Sequence, residues 1–304
     1  MIEPLGDWLS QFPRLQDLIT LFLGLITEAF PFVVLGVTVS VIISLFFKEK
    51  WLLKFMPKNR FLSHPILSTL GFLMPVCECG NVPVVRRLLE KGFSVSHAVT
   101  FLLAAPILNP ITLWSTAEAF SFNPNVVLIR MGAGFLIANI VGIILSYHKN
   151  QKSLLTDQFN HFCEDHGHEK NKISDVVNIF QREFVTVFKM LIIGALIASA
   201  SQAFIPRDII TAIGGNVMFS ILAMMLLAFV ISICANVDAF FALAYANSFT
   251  TGSLLSFMVF GPMVDIKMLA MLRTTFKGKT LATIVTIVAL LSILVGLIVN
   301  YYES

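Results

Sequence analysis

The residues best able to do chemistry stand together in Met74-Pro75-Val76-Cys77-Glu78-Cys79-Gly80-Asn81-Val82-Pro83. Two thiols, a carboxylate and an amide fall close together inside a long apolar region. As thiolates, Cys77 and Cys79 are ligands for a soft metal or a trivalent arsenical, and Glu78 between them can tune thiol ionisation or exchange a proton. A single C-x-C is a weaker signal than a repeated C-x2-C, and no clear histidine set accompanies it, so catalytic zinc has little support. Plain burial of the thiols, with Glu78 solvated at a cavity rim, explains the same residues. Pro75, Gly80 and Pro83 interrupt helical geometry around these groups. Peptide groups freed in hydrocarbon must be satisfied by protein or by water in a cavity, so the stretch predicts a lined internal site.

Three other stretches share this character: Ala105-Pro106-Ile107-Leu108-Asn109-Pro110, Cys234-Ala235-Asn236-Val237-Asp238 and Gly261-Pro262-Met263-Val264-Asp265-Ile266-Lys267. Cys79 to Pro83 echoes Cys234 to Asp238 at an offset of 155 (79 to 234), and Ala105 to Asn109 echoes Gly261 to Asp265 at 156 (105 to 261). Pro31 through Gly36 can also be laid against Lys189 through Gly194. Several matches in one order predict a duplicated chain. Each half then holds two interrupted membrane segments, whose stubs offer carbonyls and N–H groups that a continuous helix hides. The four breaks are expected to pack around one cavity. Asn81, Asn109 and Asn236 would donate and accept hydrogen bonds there, while Asp238, Asp265 and Lys267 add charge and Cys234 a third sulfur. Gly80 and Gly261 serve backbone geometry. Asp265 and Lys267 are two apart and would not share a helical face, so separate partners are expected unless the break bends them together. Capped helix ends explain any one motif alone, but less well the set.

The elements that position these groups follow from composition. Of 304 residues, 57% are hydrophobic and only 13% charged, a balance that excludes an ordinary soluble domain. Apolar runs cover about 18–47, 61–75, 93–116, 126–147, 184–203, 216–233, 254–272 and 281–301, predicting an all-α polytopic membrane protein of about eight segments. Its parts are a first membrane half (1–147) with an interfacial arm carrying Trp8 and Phe12, a hydrophilic linker (148–182) and a second half (183–304). The net charge of +3 leaves no basic footprint for nucleic acid. Lys48, Lys50, Lys54, Lys58 and Arg60 mark one cytoplasmic loop, and Arg273, Lys277 and Lys279 a second. Eight crossings put both on one side with both termini outside, but Arg86, Arg87 and Lys91 conflict with that count. The first residues lack the pattern of a cleaved secretory signal. Glu28 and Lys189 are further charges within apolar runs; packed face to face they would form a gating or proton-coupling pair, although snorkelling also explains Lys189. In the linker, His161, Cys163, His166 and His168 form a candidate accessory metal patch, although a flexible hydrophilic linker explains the stretch better.

On the Pro75/Cys77-to-Asn81, Ala105-to-Pro110, Cys234-to-Asp238 and Gly261-to-Lys267 motifs together, the chain resembles a bacterial predicted-permease family that includes the YraQ-like proteins and the trivalent organoarsenical efflux permeases. The resemblance covers nearly all of the apolar sequence. It implies a multi-pass inner-membrane permease, with Cys77, Glu78, Cys79, Asn81, Asn109, Cys234, Asn236, Asp238, Asp265 and Lys267 as transport candidates. Arsenical efflux is the subtype it suggests. The expected function is secondary transport of a small solute by alternating access, with proton coupling and no required cofactor. ATP use is not expected, because no Walker A cradle is present. An ion-conducting channel and a membrane-bound metal or redox sensor are the alternatives; an enzyme is not expected, because no nucleophilic relay has a recognisable spacing. Besides lipid and solute, a homo-oligomer or an accessory membrane or extracytoplasmic protein stays open as partner.

Overall fold

The structure, a computed structural model, describes residues 13–46, 60–73, 77–166, 176–204, 217–246 and 248–303. The arm residues 1–12, the loop lysines Lys48 to Lys58, Pro75 and His168 lie outside the described residues, as does the side chain of His166. Every regular element described is helical: α1 (Pro13–Phe46), α2 (Arg60–Leu70), α3 (Glu78–Glu90), α4 (Val95–Leu108), α5 (Pro110–Ala119), α6 (Pro124–Ser146), α7 (Asp157–His166), α8 (Val176–Phe204), α9 (Val217–Ile231), α10 (Asp238–Leu243), α11 (Thr251–Met263), α12 (Ile266–Leu272) and α13 (Gly278–Glu303).

Contacts at the helix ends fix the path of the chain. Near the start of α2, His64 Nδ1 meets Thr100 Oγ1 and Ser63 Oγ meets His97 Nε2, each at 2.9 Å, beside the start of α4. The end of α3 reaches that same start through a tight turn in which Gly92 takes φ 87°, a conformation that favours glycine. So α2 and α3 form a hairpin that goes in and comes back at one face. The α9–α10 hairpin does the same elsewhere: Ser220 bonds Ser253 at the start of α11 (2.7 Å), and α10 leads through a short turn into that start. Helix α13 connects the two faces. Its first turn bonds Leu154, next to the α4 start, through Lys277 N and Thr280 Oγ1 (both 3.0 Å), while Asn300 near its end accepts from Gly252 N of α11 (2.9 Å). The hairpins therefore enter from opposite faces.

Among the described residues, six stretches are long and apolar enough to cross a bilayer: Arg14–Ile43, Val95–Ala119, Pro124–Ser146, Val176–Gln202, Thr251–Leu272 and Gly278–Tyr302. Two of them are broken, at Asn109 between α4 and α5 and at Val264–Asp265 between α11 and α12. Among the described residues, the expected segments, about eight, appear as six candidate crossings and two hairpins. The reason is length: α2 and α9 rise only about 17 and 23 Å at 1.5 Å per residue, short of the ~30 Å hydrocarbon layer. The breaks are also narrower than expected. Gly80 and Pro83 lie within α3, while Pro106 and Pro262 fall inside the last turns of α4 and α11, where each removes an intrahelical donor without ending the helix there.

Helices α1 and α8 run antiparallel, with Phe30 against Phe184 and Phe188, and Leu25 against Ala195 and Ala198. They pack along α3 and α12 respectively; neither runs along α5 or α10. The linker is docked over residues 151–166, where Thr156 N donates to Thr275 O (2.9 Å) and Leu155 pairs with Phe276. The end of α3 with Lys91, the linker lysines Lys149 and Lys152, and Arg273, Lys277 and Lys279 consequently share one face. That removes the conflict over Arg86, Arg87 and Lys91 and makes this the cytoplasmic face by charge. A cysteine placed at Lys91 in a cysteine-free background should react with an impermeant thiol reagent only from the cytoplasmic side, and one at Thr250 only from the other. Labelling of position 91 from outside would restore the eight-crossing path.

Candidate functional site

The two hairpin tips have the same local chemistry. Cys77 O accepts from Gly80 N and Asn81 N (both 3.1 Å), and Cys234 O accepts from Val237 N and Asp238 N (3.0 and 3.1 Å). Cys77 thus closes the first turn of α3, and Cys234 closes the turn that leads into α10. Coming from opposite faces, the tips meet. Donor atoms of Cys77, Glu78 and Cys234 all lie within 4.8 Å of one another, and the Cys77 thiol is also in hydrogen-bonding reach of Cys79. The cluster is closed to solvent, with Cys77 and Cys234 3% exposed and Glu78 1%.

Lys267, in the first turn of α12, faces this cluster from the second half. Its Nζ is 4.0 Å from Glu78 Oε1 and 4.0 Å from Asp265 Oδ2. Asp265 and Lys267 do come together, because Asp265 is extended (φ −137°, ψ 171°) and its Oδ1 caps α12 by accepting from Met268 N at 2.6 Å. No side chain among the described residues donates a hydrogen bond to either oxygen of Glu78. Half-buried Glu28 of α1 lies within electrostatic reach of Glu78, Asp265 and Lys267. Lys189 lies on the exposed side of α8, and no ion pair joins it to Glu28 among the described residues.

A second charged group sits between α5, α6 and α10. Arg130, fully buried, donates to Asp238 Oδ2 (2.6 Å), Thr116 Oγ1 (2.7 Å) and Ala235 O (3.4 Å), while Thr112 Oγ1 donates to Asn236 Oδ1 (2.9 Å). Asn109 caps α5 by accepting from Ile111 N (2.9 Å), and Asn81 is buried in α3. Sequence reasoning passed over Arg130, although a lone cation in an otherwise apolar span is itself a signal. It also passed over Glu183, which accepts from Arg87 (3.1 Å) and ties α8 to the cytoplasmic end of α3. There Arg86 bonds Thr274 and Thr275 (3.0 Å each) and stacks over Phe159, 4.9 Å from its centroid.

Of the linker residues His161, Cys163, His166 and His168, only the first two have described side chains. Cys163 is half-buried on α7 and His161 exposed; two apart, they point to different sides of the helix. Burial pushes the Cys163 thiol up to about 12, so by itself it stays protonated near neutral pH.

A match to the family described as "Predicted permease" runs from residue 14 to residue 301. The chain belongs to this predicted-permease family. Among its relatives are the UPF0718 protein YcgR of Bacillus subtilis, 41% identical over 96% of this chain and 98% of the relative, and a Streptococcus mutans protein named "Putative two-component membrane permease complex subunit", 35% identical over 94% and 95%. The UPF0718 protein YraQ of Escherichia coli is 25% identical over 86% and 75%. No solved structure shows a significant match. As a member of a permease family, the chain is a multi-pass protein of the bacterial cytoplasmic membrane and not an enzyme.

What lets this permease bring its tips under the long helices is glycine. A Cβ on Gly36 of α1 would run into the backbone carbonyl of Gly80, and one on Gly194 of α8 would lie 2.9 Å from Lys267 Cα. These are the two glycines that the Pro31–Gly36 and Lys189–Gly194 alignment pairs. Nothing lies within 4 Å of a Cβ at Gly24 of the same α1. Gly36→Leu should therefore lower stability by about 1–3 kcal/mol, the usual range for overpacking, whereas Gly24→Leu should be near neutral. Denaturation midpoints of both variants in the same detergent check this; equal effects would mean that the α1–α3 contact is loose.

Proposed function

We propose that this permease is a secondary transporter exporting a soft, thiol-seeking solute by alternating access, either a soft metal cation or a trivalent organoarsenical, with protons as the coupling ion. The observation that supports it best is the convergence of Cys77, Glu78 and Cys234 where the two hairpin tips meet. Two sulfurs and a carboxylate suit soft or borderline metals and arsenic(III) far better than Mg²⁺ or Ca²⁺, which take oxygen ligands. Because the thiols come from different hairpins, a cargo bridging them holds the two together, and its release separates them.

Charge supports the same reading. Glu78 and Asp265 face a single ammonium, so the cluster holds one more carboxylate than it has cation partners, and Glu28 adds another at its edge. A buried surplus charge is costly unless neutralised. A proton or a cationic cargo would do so by turns, and a thiol that binds a metal gives up its own proton. Exchange of cargo for protons follows from one site that accommodates either. We further read the two halves as an inverted duplication of four membrane segments each, each half supplying one hairpin, one broken span and two continuous helices. Because the streptococcal relative is named as part of a two-component complex, an accessory membrane subunit is the partner we propose.

Everted vesicles containing the protein should take up a trivalent arsenical or Cd²⁺ when a proton gradient is imposed, and should leave Mg²⁺ outside. Changing both Cys77 and Cys234 to Ser should cut this uptake by roughly 10–100-fold, the range typical of disturbed metal sites, while Cys163→Ser leaves it intact. Uptake retained by the folded double variant would dismiss sulfur ligation, and uptake indifferent to the pH gradient would dismiss proton coupling.

A further inference from the structure

We propose that Arg130 is the working residue of a clasp that closes the route from the thiol site to the non-cytoplasmic face. The inference rests on the reading above that cargo sits between the hairpin tips.

Each hairpin has a carboxylate as the first residue of its second helix, Glu78 in α3 and Asp238 in α10. Each carboxylate faces a buried cation from the opposite half of the chain. For Glu78 the partner is Lys267 of α12, and for Asp238 it is Arg130 of α6. The pairs lie on opposite sides of the thiols, because α3 and α12 run from the tips to the cytoplasmic face while α5 and α10 run to the other. They also differ in closeness. Glu78 and Lys267 stand 4.0 Å apart, beyond hydrogen-bonding distance, whereas Arg130 and Asp238 are hydrogen-bonded at 2.6 Å.

The arginine does more than pair with one carboxylate. Its two terminal nitrogens hold Thr116 of α5, Ala235 O at the hairpin tip and Asp238 of α10 at once, and the Thr112–Asn236 bond ties the same two elements one turn deeper. With these bonds made, α10 cannot swing from α5. In hydrocarbon a bare guanidinium and carboxylate are too costly to part dry, so the clasp opens only as water enters beside it. That couples its rupture to the opening of an aqueous route on this face. A structural staple would share the geometry but would not control access from one side.

The test uses the full-length protein with Cys79→Ser and Cys163→Ser, so that only Cys77 and Cys234 can react, reconstituted in vesicles of checked orientation. A membrane-impermeant methanethiosulfonate is added to either side. Arg130→Gln and Asp238→Asn should each raise labelling from the non-cytoplasmic side by on the order of tenfold, the change that about 1.4 kcal/mol of lost closing energy gives. Labelling from the cytoplasmic side should not rise. Arg130→Lys keeps the charge without the planar fork, is expected to fall between, and serves if the Gln variant does not fold. Equal acceleration from both sides, or a lower melting temperature with labelling unchanged, would overturn the assignment. Because the readout needs no cargo, a failure of soft-solute transport in the vesicle assay leaves this result interpretable by itself.

Discussion

The architecture depends on the cost of leaving a charge or a peptide group without a partner in hydrocarbon. Here that cost is met from the other half of the chain. Glu78 faces Lys267, Asp238 binds Arg130, and Arg87 binds Glu183, each pair joining residues far apart in sequence. Removing one member of a buried pair typically costs on the order of 3–5 kcal/mol. Neither half could bury these side chains alone. The same demand explains the hairpin tips, where one cysteine carbonyl accepts two N–H groups in each half and leaves the thiol free to point inward.

Packing makes the arrangement reachable. The paired glycines Gly36 and Gly194 let α1 and α8 lie against the backbones of α3 and α12, closer than any side chain would allow. Close backbone approach is the usual way that membrane helices gain contact without a hydrophobic driving force between them. Around the tips, the capping of α12 by Asp265 turns Lys267 toward Glu78, so a helix start and an ion pair are set by one backbone bend.

Much of this was legible in the chain itself. The C-x-C stretch, its echo at Cys234 and the prolines before Asn109 and Asp265 located the interrupted elements and the residues that gather there. Hydropathy gave the helical class, yet it could not separate a crossing from a hairpin. Phe61 to Pro75 is as apolar as a span, and only the contacts of Ser63 and His64 with the start of α4 reveal that the chain turns back. Arg130 was missed because attention to repeated motifs passed over a charge that has no repeat partner. The meeting of Cys77 with Cys234 is a three-dimensional fact: their near match in the repeat says nothing about distance. The docking of residues 151–166 was equally hidden, since a polar composition describes a bound strap and a free linker alike.

The placement of α1 and α8 has one more outcome. They cover α3 with protein, while α5 and α10 with its N-cap turn Ile111, Trp114, Val237 and Phe240 outward, each 46–63% exposed. Acyl chains are therefore the immediate neighbours of α10, the second helix of one hairpin, and not of α3, the second helix of the other. A thicker or stiffer bilayer presses on α10 directly, so lipid composition becomes an unequal influence on these two helices.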